Sequence, residues 1–508
     1  MRIAMPATIF LGALLGIYSA YNRTDAAAPK SPLGLNLSGV ACWSTEFPFA
    51  DAFRQSMPWV SQQKGKGWAL GGPLALDSHG NVRSLEPGQF AETLLFPDTN
   101  GKYPGGRYLA RWDGDGELEF SGTAKRVAPE GRFDTRRAVV EVAPGDGPIS
   151  IRVTKTDPEN PLRNIRFRFP DTGEATFHPK FLANCAGFEA IRFMDWGSTN
   201  NSKIRDWKDR PTPDDAAQSR NGVAIELQIE LANALKADAW FCVPHLATDD
   251  YVARMVALIR DTLDADRRAY IEYSNETWNG IFEQARYCQE RGKSLGLSAD
   301  AYEAQLRYSS QRSVEIFAIA SKVLPAKRLV RVLAAHGANP RTGSTALDWQ
   351  KAYESADAIA IAPYFGNDYG SPKRIGDVVK MKTPDLLEGC RASIRANREF
   401  LTAYGELAKK RKLSLLAYES GQHLAGFGGA ENDESLTKSL QAANRDPGMK
   451  DLYLEDFKSW QDAGGGLNCV FSSVGRYSKW GSWGLKEYQD QPGDTAPKYR
   501  AVREWLTR

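Results

Sequence analysis

Two glutamates stand at the ends of short apolar runs in this sequence, and they are the residues best placed to do chemistry. Residues 269–273 lead to Asn275 and Glu276, and residues 413–417 lead to Glu419. Hydrolysis of a glycosidic bond with retention of configuration needs two carboxyl groups: one protonates the leaving oxygen and the other attacks the anomeric carbon. Glu276 and Glu419 are therefore candidates for this pair.

The segments that must position these glutamates read as strands that alternate with helices. Helix-period stretches, such as residues 222–235, 250–263 and 302–323, separate the strand-like runs. Eight such strands favour a (β/α)8 barrel, and we find no Gly-rich phosphate loop to favour an open doubly wound sheet. We therefore predict an α/β fold of the TIM-barrel type. The eight runs are residues 33–43, 190–194, 239–243, 269–273, 329–333, 358–362, 415–418 and 467–471.

After the first strand, a stretch with a different hydrophobic pattern interrupts the alternation of strands and helices. Short alternating runs separated by turn signals such as Asp113-Gly114 and Pro144-Gly145 predict a small all-β, sandwich-like domain inserted into the barrel. The predicted segments are a signal peptide at 1–28, a first barrel segment at 29–70, the inserted β-rich domain at 71–172 and the remainder of the catalytic barrel at 173–508.

The first residues have the layout of a secretory signal peptide. Arg2 precedes a short apolar stretch, residues 9–17, and small residues follow at Ala20 and at 26–28. The stretch is short for a membrane span, so we expect a secreted or periplasmic protein, with an uncleaved N-terminal anchor as the alternative.

Composition and charge limit the partners. The 508 residues are 42% hydrophobic and carry a net charge of +3 without a long basic block, which argues against nucleic acid and a membrane surface. The 5 histidines are far apart and the 6 cysteines form no close pair, so neither pattern suggests a metal site. We expect a monomer that needs no cofactor and acts on a poly- or oligosaccharide.

The Asn275-Glu276 pair at the end of one strand and the lone Glu419 at the end of another resemble the clan A glycoside hydrolases, which are retaining (β/α)8 enzymes. The resemblance implies that Glu276, closing the fourth strand, is the acid/base and that Glu419, closing the seventh, is the nucleophile. The wider string around Glu276 is also similar to that of bacterial secreted proteins loosely labelled cellulose-binding, which names no substrate. The candidate substrate-binding residues, several of them implied by the resemblance, are Asn275, Tyr364, Trp480, Trp483, Arg192, His245, Trp196 and His336.

The mechanism expected from this pair is double displacement, with the two carboxyl groups about 5–5.5 Å apart. Glu276 then needs a raised pKa, while Glu419 must stay ionised through Arg192 and Tyr364. Arg192 could instead serve Glu272, which strand alternation places deeper in the barrel on the same face as Glu276. Alternation likewise predicts that Ala417 and Glu419 share a face.

Other interpretations stay open at this point. The two glutamates could be structural ion pairs, and His245, His336 and His423 could each be packed histidines. Core packing is the default for any single tryptophan, and it is favoured for Trp278. A noncatalytic carbohydrate-binding or cell-surface protein is the alternative function. The sequence does not identify the sugar or distinguish exo from endo action, and a β-linked neutral glycan is expected from the resemblance alone.

Overall fold

The first barrel strand, β1 (Leu33–Asn36), is buried along its whole length. The structure is a computed structural model, and it describes residues 32–127 and 136–508. The predicted signal peptide, residues 1–28, lies outside the described residues. After β1 the chain leaves the barrel and builds antiparallel sheets before it returns.

These antiparallel sheets form the β-rich segment. Four strands pair in the order β2-β5-β10-β7, four others pair in the order β11-β6-β9-β8, and β3 pairs with β4. One apolar core contains residues of both four-stranded sheets, including Ile151 from one and Tyr108 and Phe167 from the other. The strands are β2 (Val60–Gln63), β3 (Ala75–Leu76), β4 (Val82–Ser84), β5 (Gln89–Leu95), β6 (Gly106–Asp113), β7 (Gly116–Gly122), β8 (Ala124–Val127), β9 (Arg137–Val142), β10 (Ile149–Thr156) and β11 (Arg163–Arg168).

The β-rich segment begins earlier than the predicted start at residue 71, because β2 (Val60–Gln63) pairs with β5 in an antiparallel ladder. Only one of the four residues of β2 is apolar, so its sequence carries no strand signal. The assignment of residues 29–70 to the barrel alone is therefore wrong at its C-terminal end.

The chain then completes the barrel. Each strand pairs in parallel with the next, and β18 pairs with β1, which closes the sheet. The predicted (β/α)8 barrel is thus confirmed. Its remaining strands are β12 (Ala190–Arg192), β13 (Asp238–Val243), β14 (Ala269–Tyr273), β15 (Leu329–Ala334), β16 (Ala358–Ile361), β17 (Ser414–Ala417) and β18 (Asn468–Phe471).

Helices fill the connections between the barrel strands. Several begin at a residue whose side chain accepts a backbone N–H of the first turn, for example Thr248 and Asp300. The helices are α1 (Pro179–Cys185), α2 (Ile225–Leu235), α3 (Asp249–Thr262), α4 (Glu283–Ser294), α5 (Ala301–Val323), α6 (Pro340–Asp348), α7 (Ile375–Val378), α8 (Thr383–Arg411), α9 (Glu434–Arg445), α10 (Met449–Asp462) and α11 (Pro497–Thr507).

Side chains of each barrel strand alternate between two apolar clusters. On β13, Phe241 and Val243 belong to the outer cluster that packs against the helices, whereas Trp240 and Cys242 belong to the cluster inside the barrel. Because strands buried on both faces need apolar residues throughout, they read as continuous apolar runs in the sequence. The C-terminal ends of these strands form the face on which active sites of this fold lie.

Candidate active site

The fourth barrel strand delivers Asn275 and Glu276 to the C-terminal face through an unusual backbone. β14 ends at Tyr273, and Ser274 and Glu276 then adopt positive φ values of 59° and 42°. Residues other than glycine seldom take such angles, and they persist where the surroundings hold them. The backbone N–H of Ser274 donates to the carbonyl of Val243 on the neighbouring strand at 2.8 Å, which fixes the start of this turn.

The seventh barrel strand delivers Glu419 in a different way from the one predicted. Alternation predicts that Ala417 and Glu419 share a face, but Ala417 packs in the outer cluster while Leu416 and Tyr418 lie inside the barrel. Glu419 nevertheless contacts Arg192 inside the barrel. The prediction is wrong because β17 ends at Ala417, and alternation holds only within an extended strand.

Arg192 is fully buried at the centre of the site and joins four barrel strands. Its Nη2 donates to Glu272 Oε2 at 3.0 Å and to Asn275 Oδ1 at 2.8 Å. Its Nη1 donates to Glu419 Oε1 at 2.9 Å and to Asn36 Oδ1 at 3.1 Å, and its Nε donates to Glu272 Oε2 at 3.2 Å. A guanidinium has five N–H groups, and all of them are used here. Arg192 therefore serves Glu272 and Glu419 together.

Glu272 is the second anionic partner of Arg192 and lies inside the barrel, as alternation predicts. Its Oε2 also accepts the indole N–H of Trp240 at 2.8 Å and contacts the thiol of Cys242 at 3.4 Å. A buried carboxylate is tolerated when it is paired and hydrogen-bonded. Glu272 thus fixes the position of Arg192 from the barrel interior, on the side away from the solvent.

Both oxygens of Glu419 accept hydrogen bonds that favour its ionised form. Arg192 donates to Oε1, and the hydroxyl of Tyr364, which follows the sixth strand, donates to Oε2 at 3.0 Å. Burial raises the pKa of Glu419, while the charge of Arg192 and these hydrogen bonds oppose the rise. The contact from Tyr364 has the geometry that the resemblance implies.

Among the residues that the structure describes, no cation donates a hydrogen bond to Glu276. The amide of Asn279 donates to its Oε2 at 2.8 Å, and the hydroxyl of Tyr418 donates to its Oε1 at 3.2 Å. Burial, and after it the negative charge of Glu419, raises the pKa of Glu276 to about 7. The site therefore holds one carboxyl group that keeps a proton near neutral pH and another that faces a fixed positive charge.

A third carboxyl group, that of Asp195, lies close enough to feel the charge of Glu419. It follows the second barrel strand, and burial together with Glu419 raises its pKa to about 7. Its position at a strand end makes it a candidate site residue, but its sequence context offers no signal that separates it from a solvated loop aspartate.

One group of aromatic rings borders Glu419. Trp483, after the eighth strand, meets Tyr364 at 5.9 Å and His423 at 4.9 Å between ring centroids, edge to face in both cases. Trp480 is 64% exposed, and its carbonyl accepts the indole N–H of Trp483 at 2.8 Å. Trp483 therefore joins the site, whereas Trp480 stands in solvent beside it.

A second aromatic group lies after the fourth and fifth barrel strands, with Trp278 two residues beyond Glu276 in the chain. The rings of Trp278 and His336 stack with centroids 4.2 Å apart and planes 17° apart. Core packing is the favoured interpretation of Trp278 from its sequence, but its side chain is only partly buried.

Two predicted site residues lie elsewhere. Trp196 is fully buried among phenylalanines of the outer core, including Phe181 and Phe193, so its assignment to substrate binding is wrong. His245 is buried against the ring of Tyr287, and burial lowers its pKa to about 4. In both cases the chain turns after the strand end and carries the side chain outward.

The described residues contain no group of histidine, cysteine, aspartate or glutamate side chains arranged to hold a metal ion. All 6 cysteines are buried and free. No helix within residues 32–127 and 136–508 is long and apolar enough to cross a membrane.

Comparisons with known proteins give matches among solved structures only. No family model and no curated protein matches the chain. A 4-O-α-L-rhamnosyl-β-D-glucuronidase from Fusarium oxysporum 12S is 12% identical with a TM-score of 0.40, covering 64% of this chain and 62% of that one. A modular endo-β-1,4-mannanase of glycoside hydrolase family 26 from Cellulomonas fimi is 10% identical with a TM-score of 0.33, covering 63% and 62%.

A GH5-4 broad specificity endoglucanase from Clostridium acetobutylicum is also similar, at 10% identity and a TM-score of 0.36, covering 65% of this chain and 91% of that one. The aligned part spans 62% of the length of each of the first two proteins. The barrel itself is assigned from the pairing of its strands, not from these matches.

The charge of Glu419 contributes to the raised pKa of Glu276, so its removal has a predictable effect. In Glu419→Gln the pKa of Glu276 should fall below about 7, because a neutral amide no longer opposes ionisation. Infrared difference spectra of the carboxyl stretch during a pH titration, with Glu276→Gln as the subtraction reference, measure this pKa. The exposed substitution Glu119→Gln is the control, and an unchanged or higher pKa in Glu419→Gln would contradict the assignment.

Removal of the buried guanidinium should cost stability. Arg192→Met leaves Glu272 and Glu419 without their cation, and we expect a loss of about 3–5 kcal/mol in the free energy of unfolding. The double variant Arg192→Met/Glu272→Gln should lose less, since one of the two stranded charges is also removed. Urea denaturation followed by tryptophan fluorescence compares them. Additive losses in the double variant would show that Arg192 and Glu272 are not coupled.

Proposed function

We propose that this protein is a retaining glycoside hydrolase in which Glu419 is the nucleophile and Glu276 is the acid/base. The observation that carries the proposal is the contrast between the two carboxyl groups. Glu419 accepts hydrogen bonds from Arg192 and Tyr364, whereas Glu276 has a pKa of about 7 and, within the described part of the chain, no hydrogen bond from a cation. Burial raises the pKa of both groups; at Glu419 the charge of Arg192 is the largest opposing effect, whereas at Glu276 the charge of Glu419 adds to the rise. Two carboxyl groups in such different surroundings suit a nucleophile and an acid.

In the first step a carboxylate oxygen of Glu419 forms a bond to the anomeric carbon while the glycosidic C–O bond breaks. Glu276 gives its proton to the departing oxygen, so the leaving group departs as an alcohol. In the second step the carboxylate of Glu276 takes a proton from water, whose oxygen attacks the anomeric carbon and releases Glu419. Each carboxyl group ends in the state in which it began.

The electrostatics favour this exchange of roles. Once Glu419 is esterified it carries no charge, so one of the causes that raise the pKa of Glu276 disappears. Glu276 then ionises more readily, at the step where it must act as a base. Arg192 stays in place throughout, held by Glu272, Asn36 and Asn275.

The charges of the site support a neutral sugar as the substrate. Asp195, Glu276 and Glu419 lie together, and every N–H group of Arg192 already has a protein acceptor. A uronic acid carboxylate would meet negative charge and could not displace these acceptors without cost. The β configuration of the linkage is proposed from the resemblance to clan A.

Further parts of the proposal come from the sequence alone. We propose export of the protein through residues 1–28, and a monomer that acts on an oligo- or polysaccharide. No residue of this N-terminal segment belongs to the described part of the chain.

Screening with aryl β-glycosides, β-linked oligosaccharides and polysaccharides tests the function. We expect the wild type to release sugar from at least one neutral β-linked substrate, and activity to fall as pH rises through about 7 because Glu276 then loses its proton. Glu419→Gln should be inactive on every substrate. Glu276→Gln should lose about 10²–10⁴-fold in kcat/KM on substrates with poor leaving groups, but less on dinitrophenyl glycosides, which need no proton donor.

Azide separates the two roles. It should accelerate Glu276→Gln on activated substrates and yield a β-glycosyl azide, because the covalent intermediate still forms. Glu119→Gln, an exposed substitution in the β-rich segment, is the control for unrelated charge changes. Binding of a glycan without turnover by the wild type, unaltered by Glu419→Gln, would favour the noncatalytic carbohydrate-binding alternative.

A further inference from the structure

We infer that Trp278 and His336 form the subsite for the sugar on the leaving-group side of the scissile bond. The inference rests on the proposed function, since it uses the roles of Glu276 and Glu419. It concerns a ring pair for which the sequence favours core packing at Trp278 and leaves His336 open between packing and binding.

The order of the barrel strands divides the aromatic residues at the C-terminal face into two groups. Trp278 follows the fourth strand and His336 follows the fifth, and these strands pair directly. The other group, Tyr364, His423 and Trp483, follows the sixth, seventh and eighth strands. Trp278 is two residues beyond Glu276 in the chain, and Glu419 is hydrogen-bonded to Tyr364 of the second group.

The proposed roles of the two glutamates assign a different sugar of the substrate to each aromatic group. The nucleophile Glu419 bonds to the anomeric carbon, so the sugar that carries this carbon must lie against the group that contains Tyr364 and Trp483. The acid Glu276 protonates the oxygen that departs, so the sugar attached to that oxygen lies beyond Glu276. Trp278, two residues after Glu276 in the chain, and His336, after the end of the adjacent strand, are therefore assigned to that side.

The backbone of His336 is held by two hydrogen bonds, and its ring by the stack with Trp278. Its backbone carbonyl accepts the hydroxyl of Tyr404 at 2.8 Å, and its backbone N–H donates to Thr342 Oγ1 at 3.1 Å. The imidazole lies nearly parallel to the indole of Trp278. Fixed rings lose little conformational freedom when a ligand binds, which favours affinity.

The Trp278 half shares its loop with the acid. The carbonyl of Thr277 accepts the amide of Gln305 at 2.7 Å, and Asn279, on the other side of Trp278, donates to Glu276 Oε2 at 2.8 Å. A sugar that contacts the indole is therefore placed by the same short segment that orients the proton donor.

His336 can also bind sugar hydroxyls. Within the described chain no group bonds to either nitrogen of its ring, and both nitrogens keep contact with solvent. Burial lowers its pKa, so the ring is neutral near pH 7 and offers one donor and one acceptor. The partly buried indole beside it supplies an apolar surface for the C–H face of a pyranose ring.

The test compares two leaving groups on one glycone. An aryl β-glycoside of the sugar found by screening carries no second sugar, whereas the matching β-linked disaccharide does. For Trp278→Ala and for His336→Ala we expect the loss in kcat/KM on the disaccharide to exceed the loss on the aryl glycoside by about 10–200-fold, the range for a lost binding contact. His336→Gln, which keeps polar atoms without the aromatic ring, should recover part of the difference.

Three controls keep the outcomes distinct. Thermal unfolding shows that each variant is folded, and Trp68→Ala removes a tryptophan that is 52% exposed in the β-rich segment. A wild type inactive on both substrates would refute the proposed function itself. An active wild type whose Trp278 and His336 variants lose equally on both substrates, or lose on neither, would overturn the leaving-group subsite alone.

Discussion

The buried guanidinium of Arg192 is the constraint on which the rest of the site depends. It bonds to residues from three other barrel strands: Asn36 on the first, Glu272 and Asn275 on the fourth, and Glu419 on the seventh. A buried charge is stable only when its hydrogen bonds are satisfied, so these groups must occupy fixed positions for the barrel to close around it. The residues that stabilise the barrel interior are thereby the ones that set the geometry at its mouth.

This arrangement makes two similar residues chemically different. Glu419 is paired with the positive charge of Arg192 and accepts a hydrogen bond from Tyr364. The donors to Glu276 within residues 32–127 and 136–508 are neutral, and its pKa is about 7. Electrostatic contacts are strong in such a desolvated interior, where the rings of Trp240 and Tyr418 lie within 6 Å of the guanidinium carbon. The barrel thus gives two glutamates different electrostatic surroundings, which supports the acid and nucleophile roles proposed for them.

The barrel was predictable because its strands are buried on both faces and must be apolar throughout, while β2, with one apolar residue, left no signal. The roles of positions within strands, such as Glu272 facing inward, followed from alternation. The positions of residues beyond the strand ends could not be predicted from alternation. Tyr418 reaches Glu276 and Trp196 turns into the core because the backbone is no longer extended there, and sequence periodicity carries no information about such turns.

Covalent trapping tests the central claim most directly. The probe is a 2-deoxy-2-fluoro β-glycoside of the sugar that the wild type hydrolyses, with a dinitrophenyl leaving group. The fluorine should slow both formation and hydrolysis of the glycosyl-enzyme, and the good leaving group should keep formation the faster of the two, so that the labelled enzyme accumulates. Peptide mass spectrometry after proteolysis should then find one glycosyl ester, on Glu419. A label on Glu276 or on Asp195, or steady turnover of the natural substrate by an enzyme that never becomes labelled, would contradict the account.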